Sequence, residues 1–253
     1  MSLIIDFHVH GKLKSSFPFC EKAFYEKIKE AKGAGLNAFA LSDHSHAVDF
    51  LEKSDYMYKN YELVDDCFIV DGFKIFSGVE ITTKEELDIV VIANPSFIRE
   101  LQPKVPKGIS LANLIMLLPH GNDILIFLAH PFRNHSDFPT VDKKTFLNFD
   151  AVELNATDLA TFGESENRQQ VENLANELKL KIVGGSDTHF SIQCGSIRNV
   201  FEKDITKIRD LKGEIFAYSF TIEIDATLTT RVKSAAIIKE LMVQEHERRQ
   251  LIE

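Results

Sequence analysis

The sequence predicts an α/β protein whose chemistry gathers at one end of its sheet. Three observations carry that expectation. Strand-like apolar runs alternate with helix-like stretches, which is the pattern of strand–helix units. Seven good metal ligands each follow such a run: His8 and His10 after LIID, His44 after NAFALSD, Glu80 after KIFSGV, His130 after ILIFLA, and Asp187 and His189 after KIVGGS. A chain of 253 residues, 44% hydrophobic with 20 Phe and no Trp, can fill one barrel-sized core.

Leu3 to Phe7 is a short apolar run and reads as the first strand. A helix from about Glu21 to Lys32 follows, with Phe24, Ile28 and Ala31 on one face, and Gly33 and Gly35 stop it. Asn37 to Leu41 is the next strand. After His44 the chain turns polar and irregular to about Asp66, where a helix and loop are expected beside the pocket. Phe73 to Val79 and Leu87 to Ala93 are strands joined by about seven residues, too few for a helical crossover, so they predict an antiparallel hairpin. Ser110 suits the cap of a helix through Leu117. Ile124 to Leu128, Ala151 to Leu154 and Lys181 to Val183 read as buried strands. Val171, Leu174, Ala175 and Leu178 mark a helix between the last two. Ile197 to about Phe220 is expected to complete the sheet and its edge. Arg231 to Glu253 reads as a helix with Val232, Ala235, Ala236 and Met242 on one side. No internal repeat, low-complexity segment or linker interrupts the pattern. A single domain over residues 1–253 is therefore expected, with a C-terminal helix at about 229–252.

In strand–helix repeat proteins the active site lies at the C-terminal ends of parallel strands. Ligands scattered over about 180 positions can therefore meet in one small volume. Imidazole and carboxylate are the ligands that Zn, Mn and Fe sites draw from protein, and seven exceed what one tetrahedral ion uses. His8 and His10 alternate along a strand and face the same way. Asp6 shares that face and is expected to orient a histidine. In SDHSH, His44 is flanked by Asp43 and His46, and the residues alone leave the choice of ligand open. The hairpin would return Asp88 to the end that carries Glu80, making it a further candidate. His120 and His130 flank one strand; His130, at its C-terminal end, is the expected ligand, and His120 belongs to the stabilising end. Arg133 could meet a substrate phosphate with its planar fork of donors, the alternative being a surface arginine. His135, in the loop RNHSD, is expected at the border of the pocket or in solvent. Glu153 and Asn155 end another strand and read as pocket-lining. Asp187 and His189 follow two glycines that let the backbone approach something closely. Lys12 reads as solvated or substrate-facing, and His246 as a surface residue.

A net charge of −9 argues against a general nucleic-acid binder but leaves a phosphorylated substrate open, because bound cations make a pocket locally positive. No apolar run approaches the roughly 18 residues of a membrane span, so no membrane partner is expected. The N terminus lacks the pattern of a signal peptide. Cys20, Cys67 and Cys194 are odd in number and lack CxxC spacing, which suits a reducing cytoplasm.

Asp6-Phe7-His8-Val9-His10, Ser42-Asp43-His44, Gly78-Val79-Glu80, Ala129-His130-Pro131 and Gly185-Ser186-Asp187-Thr188-His189 occur in the order seen in the polymerase and histidinol phosphatase (PHP) superfamily. The chain resembles that family over residues 1 to about 220. The resemblance implies a distorted (β/α)7 barrel, two or three divalent metal ions (Zn, Mn or Fe) and hydrolysis of phosphate esters. It selects His44 as the ligand in SDHSH and gives Glu80 the bridge between two ions. The expected reaction is attack by a metal-activated water on a small phosphorylated metabolite or nucleotide. His44, Asp187, His189 and Arg133 form the expected catalytic set, with His189 or His44 protonating the leaving oxygen. Relatives with a full trinuclear centre carry a histidine or aspartate where this chain has Ser16. Two other readings are an amidohydrolase-like enzyme cutting C–N bonds and a non-catalytic metal-binding module. The first generally needs a bridging lysine in mid-barrel, and no lysine ends a strand here.

Overall fold

The computed structural model describes residues 2–134, 138 and 141–250. His135 lies outside the described residues. The chain opens with β1 (Leu3–Val9), α1 (Glu21–Gly33) and β2 (Ala38–Leu41), followed by α2 (Phe50–Asn60), β3 (Glu62–Val64), β4 (Cys67–Val70), β5 (Phe73–Thr82) and β6 (Asp88–Ala93). Next come α3 (Pro95–Leu101), α4 (Leu111–Leu117), β7 (Ile124–Ala129), β8 (Ala151–Asn155), α5 (Ala156–Phe162), α6 (Glu164–Leu178) and β9 (Lys181–Gly185). Then follow β10 (Ile197–Phe201), α7 (Ile208–Phe216), β11 (Phe220–Ile224) and α8 (Leu228–Gln250).

Local chemistry explains several boundaries. Phe24, Ile28 and Ala31 bury one stripe of α1, and Gly35 leaves the helix at φ 85°, a conformation that suits glycine. The Ser110 hydroxyl accepts from the Asn113 amide and caps α4, as expected. Asn155 caps α5 by accepting from the Thr157 and Asp158 amides. The polar stretch after His44 holds α2 as expected and also the hairpin β3–β4, which the sequence reading missed. Its link to β5 is Asp71–Gly72, both at positive φ (50° and 77°), the two-residue turn that Asp-Gly favours.

The sheet runs in the order β11-β10-β1-β2-β5-β6-β7-β8-β9. β1, β2 and β5 are mutually parallel, as are β7, β8 and β9, while β6 runs antiparallel to both of its neighbours. The sheet curls until β9 meets β1. The Asp187 amide donates to the His8 carbonyl at 2.8 Å, and the His10 amide to the Thr188 carbonyl at 2.9 Å. At the other end of the seam β10 pairs with β1 instead. There the buried amide of Asn199 spans the gap: its Nδ2 donates to the carbonyls of Ile5 and Gly184, and its Oδ1 accepts from the Gly184 amide. One apolar cluster takes Phe7, Ala40, Phe76, Ile92, Phe127, Ala151 and Val183 from seven strands, with Ile208, Leu211 and Ile215 of α7. Only the inside of a nearly closed sheet brings all those strands into one cluster. This is the distorted barrel that the resemblance implies.

α8 starts at Leu228, a turn before the expected start, and its last described residue is Gln250. Val232 and Ala235 are buried, but Met242 is 46% exposed, because only the first half of the helix lies on the barrel. Among the described residues no helix is long and apolar enough to cross a membrane.

Candidate metal centre

The end of the barrel where β1, β2, β5, β7 and β9 finish carries His8, His10, His44, Glu80, His130, Asp187 and His189. Asp88 is the first residue of β6, and the reversed direction of that strand brings it to the same end. It lies opposite Thr82 in one pairing and Ala129 in the other. Glu80 sits in the middle with 1% exposure. Its Oε1 is 3.0 Å from His130 Nε2 and 3.6 Å from His8 Nε2. Its Oε2 is 2.9 Å from His44 Nδ1 and 3.4 Å from His10 Nε2. Each oxygen therefore faces its own pair of imidazoles. Asp187 Oδ1 lies 2.9 Å from His10 Nε2, 3.5 Å from His189 Nδ1 and 3.8 Å from His8 Nε2. His130 Nδ1 is 3.8 Å from Asp88 Oδ2.

Among the described residues four overlapping groups of three donors have their ligand atoms within 4.8 Å of one another: His10/His44/His189, His8/His10/Asp187, Glu80/Asp88/His130 and His8/His130/Glu153. His8 Nε2 is buried with no hydrogen-bond partner among the described residues, and His44 Nδ1 and Glu80 Oε2 face each other at 2.9 Å without hydrogen-bond geometry. A buried polar atom left unsatisfied costs about 1–3 kcal/mol, and bound divalent cations would satisfy these atoms. The donor set fits Zn, Mn or Fe chemistry. His130 and Asp187 also sit at positive φ, 28° and 57°, a strained backbone that clusters at functional sites.

A cavity of about 330 Å³ opens over the centre. His44, Glu80, Asp88, His130, Asp187 and His189 form its floor. Its walls include Arg133, Phe190, Val232, Ala235 and Lys239.

A family model described as PHP-associated matches residues 165–215. A protein of Acetivibrio thermocellus named probable phosphatase is 25% identical over 222 residues, 80% of this chain and 86% of that one. The fold is similar to that of PsfC from Pseudomonas syringae PB-5123, with a TM-score of 0.81 at 21% identity over 95% of this chain and 99% of that one. It is also similar to endonuclease Q in complex with a 27-mer duplex bearing an abasic lesion, with a TM-score of 0.59 at 22% identity over 85% of this chain and 57% of that one. Both solved structures are PHP-fold proteins. The fold is a PHP-type barrel.

Around the cluster a layer of charged residues fixes the imidazoles. Glu153 Oε1 is 3.0 Å from His8 Nδ1, so the His8 ring is held by one nitrogen and presents the other to Glu80. Glu153 Oε2 accepts from the His130 amide at 2.9 Å and from Asn155 Nδ2 at 3.0 Å. Glu153 and Asn155 were expected to line the pocket. They lie beneath it, fully buried, because their strand ends under the ligands rather than beside the opening. Asp6 was expected to orient a histidine ring. Its Oδ1 instead accepts from the backbone amides of His8 and Ser186, tying β1 to the loop that carries Asp187. Asp43 accepts from the Gly11 amide at 2.9 Å and pairs with the buried Lys53. Lys27 of α1 donates to the carbonyls of His10 and His189, linking the first and last ligand segments. The sequence reading missed Lys27, although it falls on the buried stripe with Phe24 and Ala31.

Burial alone would raise Glu80, but the charges of His8 and His44 and the hydrogen bond from His130 hold its carboxyl well below the ordinary range. Burial also opposes charge on His8, yet Glu153 and Glu80 lift it well above the ordinary imidazole value. His189 moves the other way, pushed well below that value by burial and by His10. Asp88 is raised by burial and by Glu80.

Arg133 borders the cavity, and each of its three guanidinium nitrogens has a protein partner: Nε donates to Asp158, the other two to Asp187 and Asn155. His46 stacks on His44, 5.2 Å between centroids, and is exposed. Ser16 is exposed and belongs to none of the donor groups. Lys12 is neither solvated nor in the cavity: it is 4% exposed with its Nζ buried. His120 is exposed just before β7, away from the ligands. His246 is not a free surface residue; it packs on Phe17 at 4.3 Å between centroids, since α8 folds back over the segment after β1.

Proposed function

We propose that this protein is a metal-dependent phosphoesterase acting on a small phosphorylated metabolite or nucleotide. The observation that carries the reading is the Glu80 carboxylate, which offers one oxygen to His8 and His130 and the other to His10 and His44. The name of the A. thermocellus relative and the endonuclease activity of endonuclease Q both support phosphate-ester chemistry.

In this reading His8, His10, His44, Glu80, Asp88, His130, Asp187 and His189 would hold two or three divalent ions. Such ions supply a water of lowered pKa and neutralise charge on the phosphoryl oxygens. Arg133 borders the cavity and fixes Asp187 there. Glu153 holds His8 in the tautomer that leaves Nε2 free for the centre. His44 and His189, 27% and 14% exposed, are the imidazoles nearest the opening and the candidates to protonate the leaving oxygen. The first turns of α8 wall the cavity and limit the entry of water.

The test is a substrate panel with Mn²⁺- or Zn²⁺-loaded protein. It comprises phosphomonoesters, phosphodiesters, nucleotides, a duplex with an abasic lesion, and small amides. Metal content is measured by elemental analysis. Turnover of a phosphate ester, lost in Glu80→Gln, is expected. Amide cleavage without phosphate-ester cleavage would favour the C–N hydrolase. Bound metal with silence across the panel would favour a non-catalytic module.

A further inference from the structure

We propose that Lys239 of α8 is a substrate-binding residue that receives the second negative charge of a phosphomonoester and makes the site prefer monoesters to diesters. The inference rests on the phosphoesterase reading. Lys239 lies outside the stretch that carries the PHP motifs, so nothing in those motifs points to it. It follows Val232, Ala235 and Ala236 at helical spacing, and all four line the cavity over the centre. The small side chains at 235 and 236 leave space between the helix and the ligands, and Lys239 reaches into that space.

Among the described residues Arg133 and Lys239 are the cations that line the cavity, and they differ in availability. Arg133 already has a partner at each guanidinium nitrogen. Lys239 has no hydrogen-bond or ion-pair partner among the described residues, although Asp187 and Glu80 attract it and Arg133 repels it. It is thus close enough to feel the centre and free to bind something else. An ammonium on a flexible stem is a compact point charge suited to a phosphate oxygen. A monoester carries close to two negative charges at neutral pH, a diester one. A cavity of about 330 Å³ also lies at the small end of the range for ligand sites, which matches a compact monoester.

The experiment uses the full chain loaded with Mn²⁺ and compares Lys239→Met, Lys239→Arg and, on the exposed side of the same helix, Lys233→Met. Inorganic phosphate binding is measured by calorimetry, and kcat/KM is measured with p-nitrophenyl phosphate and bis(p-nitrophenyl) phosphate. Lys239→Met should weaken phosphate about 10- to 100-fold, the range of one hydrogen bond to a charged group. It should lower monoester kcat/KM by a similar factor and leave diester kcat/KM within about threefold of the original. Metal content should stay constant, Lys239→Arg should recover most of the loss, and Lys233→Met should change nothing. Unchanged phosphate affinity in Lys239→Met overturns the proposal whatever the turnover. So does an equal loss on both esters. If the unmodified protein cleaves neither ester yet Lys239→Met still weakens phosphate, the phosphoesterase reading fails and the anion site stands.

Discussion

Gly185→Ala tests how the centre is supported. Gly185 ends β9 opposite Asn155, and its φ is not positive, so space rather than backbone conformation forbids a side chain. A Cβ there would lie 1.9 Å from Glu153 Oε1 and 2.7 Å from His8 Cβ. Neither can yield cheaply, because the same oxygen holds His8 Nδ1 and the other holds the His130 amide. Displacing Glu153 breaks a charge-assisted hydrogen bond, at about 1.5–3 kcal/mol, and overpacking adds about 1–3 kcal/mol. Together these make about 2.5–6 kcal/mol, a fall in Tm of at least about 5 °C for a chain this size. With His8 no longer held, metal affinity should drop about 10- to 100-fold. The assays are thermal unfolding in chelator and metal affinity by competition with a chromophoric chelator. Glu153→Gln, which keeps the space, should reproduce most of the affinity loss with a smaller stability loss. Gly213→Ala on α7, where an added Cβ meets nothing within 4 Å, should be neutral or mildly stabilising. A Gly185→Ala protein with unchanged Tm and metal affinity would refute the supporting role of Glu153.

Asn199→Leu should cost about 2–4 kcal/mol in denaturant unfolding, because it strands the Gly184 and Ile5 backbone groups at the barrel seam. Its metal content should not change, and a loss of metal would mean that the seam and the centre are coupled. Lys27→Met should weaken metal binding by removing the ammonium between the carbonyls of His10 and His189; equilibrium dialysis with Mn²⁺ reads the effect, and unchanged binding would reduce Lys27 to a packing role. Removing metal with chelator should lower stability by about 4 kcal/mol relative to metal at a thousand times its Kd, and an unshifted Tm would count against ions in the centre.

The gathering of the seven candidate residues was legible because each sits where an apolar run stops, and the barrel turns those stops into one rim. The return of Asp88 was legible for a similar reason: a connection too short for a helix forces the strand back. The surrounding layer was not. Glu153 looks like any strand-end carboxylate until His8 is seen 3.0 Å away, across 145 positions of sequence. Asp6 shares a face with His8, but the amide of Ser186 reaches it first, which only the closure of β9 on β1 reveals. Asn199 seals that closure with a side chain that carries no pattern. The hairpin before β5 did leave a signal, Asp71-Gly72 after a short apolar run, hidden by the polar stretch around it.

The link between β5 and β6 fixes more than a direction. Thr83 and Leu87 lock it through backbone and hydroxyl hydrogen bonds, and Thr82 Oγ1 donates to Asp88 Oδ1 at 2.5 Å. Side chains along a strand alternate between faces, so the length of this link has a parity. With the turn otherwise kept, one residue inserted between Thr83 and Leu87 would put Leu87 opposite Thr82, where Asp88 now stands. The length of this link therefore decides which side chain the reversed strand delivers to the rim.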